Sequence, residues 1–477
     1  MNLIDRIINY FSPKAGCERE LWRSERDSLK GYDAAAFDRL NEAWRVLNES
    51  AEITDRGSRD TIRARARDQE RNSDITSSIL IAYKRNVVGA GYTLQAKTGS
   101  DELDDQLEGL WKIWCNKNNC DVTGTQNFNQ LLRMAITRKK VDGGALFLKR
   151  YTAGGIVPFK LQAIEVDELE ESALTPREKG NKVAGGIEYS SYNKPMGFYI
   201  RQYQIDGMSS EPVYVPAKDV IFIYTKKRPS QIREMSDLTA MIPRTRDINE
   251  YMTAVSVKER IAACLAVFVT RQSMGGLGRN TKDNSAKSGY DTKTLTPGMI
   301  SHLMPGEDIT VVDPKSQAVD ATNYLKLMQR LIGSGQGLSY EAVSRDMSET
   351  NYSGARQGSI EDDLTYAEEI EALMDFMDEV YETFVISLYL SGRINVANFW
   401  DDFGTYTKHN WVGSTKKWID PLKESTANRV ALNSNQKSYQ QIAAEGGKDW
   451  KEIIDENAEV IKYAKSKGIL LGGEKNG

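Results

Sequence analysis

The residues best suited to chemistry lie in one run, GLSYEAVSRDMSETNYSGARQG, from Gly337 to Gly358. It gathers Ser339, Tyr340, Glu341, Arg345, Asp346, Asn351, Tyr352, Ser353 and Arg356 between two long helical patterns. Such side chains can serve acid/base or nucleophilic catalysis, anion binding through arginine, or helix capping and subunit contact. Catalysis lacks its companions. The chain has two histidines, the distant His302 and His409, and no HExxH, GxSxG or GxxxxGK[ST] motif; MGGLGRN, from Met274 to Asn280, lacks the phosphate-binding lysine. CNKNNC, from Cys115 to Cys120, is half of a zinc ligand set with no second pair. DELDD, from Asp101 to Asp105, is the one carboxylate cluster suited to Mg²⁺, but its spacing equally fits the solvated face of a helix. We therefore expect no catalytic residue, no metal and no cofactor.

These residues need elements to position them. With 477 residues the chain exceeds what one core usually serves, so several structural regions are expected. Its hydrophobic fraction of 40% and charged fraction of 27% describe a folded, soluble chain with no bilayer-spanning run. Four scattered cysteines, Cys17, Cys115, Cys120 and Cys264, exclude a disulfide framework. MNLIDRIINYF opens the chain with apolar residues at helical spacing, too short and too weakly basic for a membrane-surface helix and better suited to docking on protein.

From Arg56 to about Asn86 the pattern predicts helices broken at Asn72, Ser73 and Asp74, and NVVGAGYTLQ reads as strand and turn. DDQLEGLWKIWC and FNQLLRMAITRKKV carry amphipathic helical spacing, and short β patterns fill Tyr151 to Tyr224. A long helix follows Arg228, with Pro243 in an early turn or at a bend. LAVFVT, a polar glycine-rich insertion and MISHLMPGEDITVVDP, with its turn at Pro305 and Gly306, form a β-containing tip, ATNYLKLMQRLIG returns as helix, and a second long helix runs from about Ile360 to Leu390. The middle of the chain is thus one helix out, a decorated tip and one helix back.

Charge is uneven. The formal net charge of −4 argues against a protein that grips DNA tightly. Arg56, Arg59, Arg63, Arg65, Arg67 and Arg71 crowd one early stretch, whereas Glu361 to Glu382 holds many acids and no base. Solvated helix faces are one reading of both; complementary faces of neighbouring subunits are another.

RARARDQERN (Arg63 to Asn72), NVVGAGYTLQ, RPSQIR (Arg228 to Arg233), LMPGE (Leu303 to Glu307), NYSGAR (Asn351 to Arg356) and WIDPLKE (Trp418 to Glu424) together resemble, in order, the portal proteins of lambda-like tailed bacteriophages. The resemblance implies an α+β portal fold assembled as a ring of about twelve subunits at one capsid vertex, through which double-stranded DNA is packaged and ejected. It implies an N-terminal helical segment (1–55), an α/β wing (56–235), stem helix 1 (236–264), a clip (265–318), stem helix 2 (319–336), a tunnel loop with a wing spine helix (337–400) and a helical crown (401–477). Implied partners are other copies of the chain, the terminase large subunit, major capsid and scaffold proteins, head-completion or tail connector proteins, and DNA in weak, sequence-independent contact; no membrane is implied. The implied location is the virion, after assembly in the bacterial cytoplasm.

On this frame Arg330, Gly335, Gln336, Ser339, Tyr340 and Glu341 are expected at the channel and its mobile tunnel loop. Arg63, Arg67, Asp346, Asn351, Tyr352 and Arg356 are expected at the subunit interface, and Arg271, Arg279, Lys282 and Lys287 at the surface that docks the motor or connector. Two alternatives remain: a metal-dependent nuclease using Asp104 and Asp105, and a generic capsid or scaffold interaction protein.

Overall fold

The computed structural model describes residues 10–28, 48–172, 175–203, 210–263, 267–271, 307–311, 318–413, 421–447 and 449–469. The chain divides into Met1–Thr54 and Asp55–Gly477. In the first unit, helix α1 (Pro13–Ser28) leaves Leu21 and Trp22 exposed. α2 (Ala51–Asn72) crosses into the second unit, which is a mixed helix and sheet structure.

In chain order, the second unit continues with α3 (Asp74–Tyr83), β1 (Thr93–Ala96), α4 (Asp101–Trp114), α5 (Lys117–Cys120) and α6 (Phe128–Asp142). The strands β2 (Gly144–Tyr151), β3 (Phe159–Ile164), β4 (Lys182–Ala184), β5 (Ile187–Tyr189), β6 (Pro195–Ile200), β7 (Val213–Pro216) and β8 (Val220–Tyr224) follow. Then come α7 (Ile242–Ala263), β9 (Val267–Arg271), β10 (Glu307–Val311), α8 (Ala318–Gly335), α9 (Tyr340–Ser344) and α10 (Tyr352–Leu390). α11 (Phe403–Tyr406), β11 (His409–Val412), α12 (Pro421–Asn433), α13 (Tyr439–Glu445) and α14 (Trp450–Ser466) complete the described chain.

Local chemistry sets many boundaries. Ser73 separates α2 from α3 by accepting the Thr76 amide at 3.3 Å, and Asn127 with Gln130 forms a reciprocal capping box at the start of α6. α6 ends at Gly143, whose φ of 93° and contact with the Met235 backbone leave no space for a side chain. Pro243 falls in the first turn of α7, where its missing amide is harmless. Two expectations shift. NVVGAGYTLQ was expected to be strand and turn, yet helix persists through a π turn at Lys84–Val88, because Val87 and Val88 bury in the core; only Thr93–Ala96 is strand. α10 starts at Tyr352 rather than near Ile360, because Asn351 caps it by accepting the Gly354 amide at 2.7 Å.

The described residues of this unit form four antiparallel sheets: β3-β2-β8, β4-β5-β6-β7 and the pairs β1-β11 and β9-β10. Leu146 of β2 stands opposite Ile164 of β3 and Phe222 of β8. α7 and α8 meet through Tyr251 and Tyr324, with ring centroids 4.7 Å apart, and β9 pairs antiparallel with β10 at their far ends. The helix out, β tip and helix back are therefore present among the described residues.

The core centres on α4, α6 and α10. Trp111 packs against Trp114, Phe128, Tyr381 and Phe384, and Trp114 stacks on Phe159 at 5.4 Å while its indole N–H donates to the Phe159 carbonyl at 3.0 Å. Trp114 is fully buried and joins three elements, so Trp114→Ala should lower stability by about 3–5 kcal/mol. A denaturant titration checks this; a loss below about 1 kcal/mol would show that the site collapses to fill the cavity.

Candidate functional site

The run from Gly333 to Arg356 is a tightly bonded junction between α8, α9 and α10. Gly337, with φ of 67°, turns the chain after α8, and the Leu338 amide donates to the Gly333 carbonyl at 2.8 Å. Asp362 of α10 accepts twice from Ser339, from its amide at 2.6 Å and its hydroxyl at 2.7 Å, while the Thr365 hydroxyl donates to the Gly337 carbonyl at 2.6 Å. Burial raises the Asp362 carboxyl above its ordinary range, and the Ser339 bonds pull against that rise. Ser339 also caps α9 by accepting the Ala342 amide.

Gln336 is buried: its side chain donates to the Asp237 carbonyl at 3.0 Å and its own carbonyl accepts from the Tyr83 hydroxyl at 2.8 Å. Its side chain thus serves the interior of the subunit, a role its local sequence does not announce. Around it, Arg330 lies 5.3 Å from the Tyr340 ring centroid, Glu341 accepts from the Thr350 hydroxyl, and Asp346 accepts from the Ser348 amide. Gly335, Arg330, Asn351, Tyr352 and Arg356 are exposed.

A second constellation is a buried network of charges. α6 carries it on two flanks. On one, Arg67 donates from Nε to Asp142 at 2.7 Å, Arg138 pairs with Glu70, and Asp167 draws Arg63 and Arg67 together. Arg63 is 3% exposed and also donates to Glu234 at 2.6 Å; Arg233 donates to the same carboxylate at 2.8 Å. On the other flank Lys139 and Lys140 each contact one oxygen of Glu369 of α10 at 2.6 Å, and Lys140 also pairs with Asp237 at 3.3 Å and lies over the Tyr83 ring at 4.2 Å. Arg63 and Arg67, expected at the subunit interface, pair within this chain: Arg63 is buried, whereas the Arg67 side chain keeps 23% of its surface.

Burial alone would raise Asp167 and Glu234, but the arginines outweigh it and hold both carboxyls below their ordinary values. Sulfur chemistry is muted: burial pushes the Cys120 thiol up to about 12 and raises Cys115 as well. In DELDD, Asp104 accepts from the amide and hydroxyl of Thr98, and Asp101 pairs with Lys451 at 2.6 Å. Among the described residues no group of three or more His, Cys, Asp or Glu side chains is arranged to hold a metal ion. A cavity of about 170 Å³ between α6, β2 and β3 is lined by Met134, Arg138, Asp142, Leu146, Ile164 and Glu168. No described helix is long and apolar enough to cross a membrane. Of the docking candidates, Arg271 ends β9, while Arg279, Lys282 and Lys287 lie outside the described residues.

The model of a known family, phage portal protein, lambda family, matches residues 37–369 and so spans both constellations. The chain belongs to that family. A probable portal protein of Halomonas phage phiHAP-1 is 24% identical over 94% of this chain and 89% of its own length. The portal protein of Escherichia phage N15 is 20% identical over 89% and 88%, and portal protein B of Escherichia phage lambda 19% over 85% and 84%. Among solved structures, a chain from the virion of a native gene transfer agent particle aligns over 84% of this chain and 96% of its own, with 13% identity and a TM-score of 0.45. A chain from the neck of the empty particle aligns over 86% and 98%, with 13% identity and a TM-score of 0.44.

The network makes acid sensitivity predictable. Glu234 has its folded pKa held below the ordinary 4.5, so its stabilising charge is fully present above about pH 4.5 and is lost as pH falls through the depressed folded value. Glu234→Gln leaves Arg63 and Arg233 without that countercharge and should cost about 3–5 kcal/mol near neutral pH, with a weaker loss of stability on acidification than in the wild type. Urea midpoints measured from pH 7 to pH 3 check both; parallel pH profiles would remove Glu234 as a source of the dependence.

Proposed function

We propose that this family member closes head to tail into a ring of about twelve copies at one vertex of a phage capsid and conducts double-stranded DNA during packaging and ejection. The observation that carries the reading is the lambda-family match over residues 37–369, which includes α7, β9, β10 and α8 as one out-and-back excursion. In this reading α7 and α8 are the stem, β9 and β10 belong to the clip, the α/β region before α7 is the wing, α10 its spine, and the segment from 401 onward the crown facing the capsid interior.

The turn at Gly335 to Glu341 is then the tunnel loop, with Arg330, Gln336, Ser339 and Tyr340 beside the channel constriction, and Asp346, Asn351, Tyr352 and Arg356 belong to the contact between neighbours. Arg271, Arg279, Lys282 and Lys287 form the surface that receives the terminase large subunit and later the head-completion or tail connector proteins. Basic side chains on a polar segment suit an acidic partner. Capsid and scaffold proteins would surround the ring during assembly in the bacterial cytoplasm. A conduit must pass phosphates without holding them, because each tight contact would have to break at every step of movement; the net charge of −4 agrees with weak contact.

Negative-stain electron microscopy of the purified chain should show closed rings with an open centre wide enough to pass a DNA duplex. Monomers or compact small oligomers at high concentration would refute the ring. Deleting residues 274–290 should leave rings intact and abolish terminase binding in a pull-down; retained binding would move the docking surface elsewhere.

A further inference from the structure

α2 and α10 lie on different flanks of α6. Arg138 and Asp142 face α2, Lys139 and Lys140 face α10, and at 3.6 residues per turn the two directions differ by roughly 130°. α2 and α10 thus lie on different sides of α6 and offer two distinct surfaces, as a head-to-tail subunit requires.

Their surfaces are complementary. On α10, Glu361, Leu364, Glu368, Glu371, Asp375 and Glu382 recur every three, four or seven residues along one exposed strip. No lysine or arginine occurs from Glu361 to Glu382, and Glu379 at the strip's margin already pairs with Lys149 at 2.7 Å. Leu364, 63% exposed, and Ile360, 48% exposed, add bulk beside the acids. On the outer side of α2 the exposed residues include Arg65 and Arg71, for which no ion pair is found among the described residues, flanking the small Gly57, Thr61 and Ala64. Two acids share that face, but Asp60 is engaged by Arg63 and Asp68 by Asn72. A Cβ placed on Gly57 would meet nothing within 4 Å, so a neighbouring helix has room to approach.

We infer that the acidic strip of α10 docks on the arginine-bearing outer face of α2 in the next copy of this chain, with Ile360 and Leu364 seated over the small residues between the arginines. This rests on the ring reading above and names the contact that closes it. Arg63 and Arg67 hold α2 in place from inside the subunit, while Arg65 and Arg71, on its outer side, meet the neighbour. The like charges along α10 repel one another in the isolated chain, and the neighbour's guanidinium groups relieve that repulsion.

The test uses two surface variants of the full chain, Glu368→Lys with Glu371→Lys, and Arg65→Glu with Arg71→Glu. Each places like charges across its own homotypic contact, and each alone should lose rings by about tenfold or more at roughly 0.15 M salt, measured by mass photometry and negative-stain counting. Mixed in equal amounts they should restore rings, because the reversed acidic face of one meets the reversed basic face of the other in an alternating ring. Circular dichroism checks that both variants fold. Rings from either variant alone at wild-type yield, or two folded variants that stay unassembled when mixed, would overturn the interface while wild-type rings keep the function intact. A wild-type chain that forms no ring sinks both.

Discussion

The pairing of the basic residues at the end of α6 with acids from three separate parts of the chain is the constraint on which the rest of the unit depends. Lys139 and Lys140 are nearly buried, and a buried ammonium is tolerated only beside a countercharge with its hydrogen bonds made. Glu369 supplies one to each lysine, and Asp237 supplies another. Since Glu369 belongs to α10 and Asp237 to the approach to α7, the requirement to satisfy two adjacent cations fixes where the long helix and the stem hairpin meet the α/β region. Apolar packing around Trp111 and Phe376 provides most of the affinity between these layers, but apolar surfaces slide. Charges with specific partners set the register.

The same cluster runs on into the junction between α8 and α10. Tyr83, under the ammonium of Lys140, donates to the Gln336 carbonyl, and the Gln336 side chain donates to the carbonyl of Asp237. One residue further, Asp362 and Thr365 grip the turn from the side of α10. A displacement of α8 along its axis would have to break these bonds or carry α10 with it. α10 has 39 residues and so spans roughly 58 Å, so a small rotation at its first turns becomes a larger displacement at its far end. In the proposed ring this couples the channel wall to the spine of the wing without any soft linker between them.

Much of this organisation could be read in the sequence because it is written at short range. The amphipathic spacing of DDQLEGLWKIWC and FNQLLRMAITRKKV became α4 and α6; Ser73 and Asn127 mark starts through bonds made within three residues of themselves, and Pro243 through an amide that the first turn does not need. What escaped is held together at long range. Arg63 finds Glu234 171 residues away and Arg67 finds Asp142 75 residues away, so a cluster that resembles a surface patch in one dimension is an interior network in three. The bonds of Gln336 are equally illegible locally: its carbonyl accepts from Tyr83, 253 residues earlier, and its buried side chain donates to the Asp237 carbonyl, 99 residues earlier. The π turn at Lys84–Val88 has the same origin: β-branched valines favour strand locally, and burial in the core overrides them.

A ring built from one chain needs directionality more than strength, because each contact is repeated around a closed circle and a strong but slippery contact would give open spirals. Exposed ion pairs are worth only about 0.2–1 kcal/mol each and suit that role: they orient approach and penalise wrong registers while adding little to the depth of the well. The division of the arginines on α2 follows the same logic. Those turned inward, Arg63 and Arg67, are salt-bridged to acids of the same subunit, so they hold α2 against Asp167 and Glu234. Those turned outward stay hydrated and exchangeable, and a rigid helix lets them present one fixed spacing to a neighbour. Order inside the subunit is thereby converted into order between subunits, and the repeated weak contact inherits its geometry from the strong buried one.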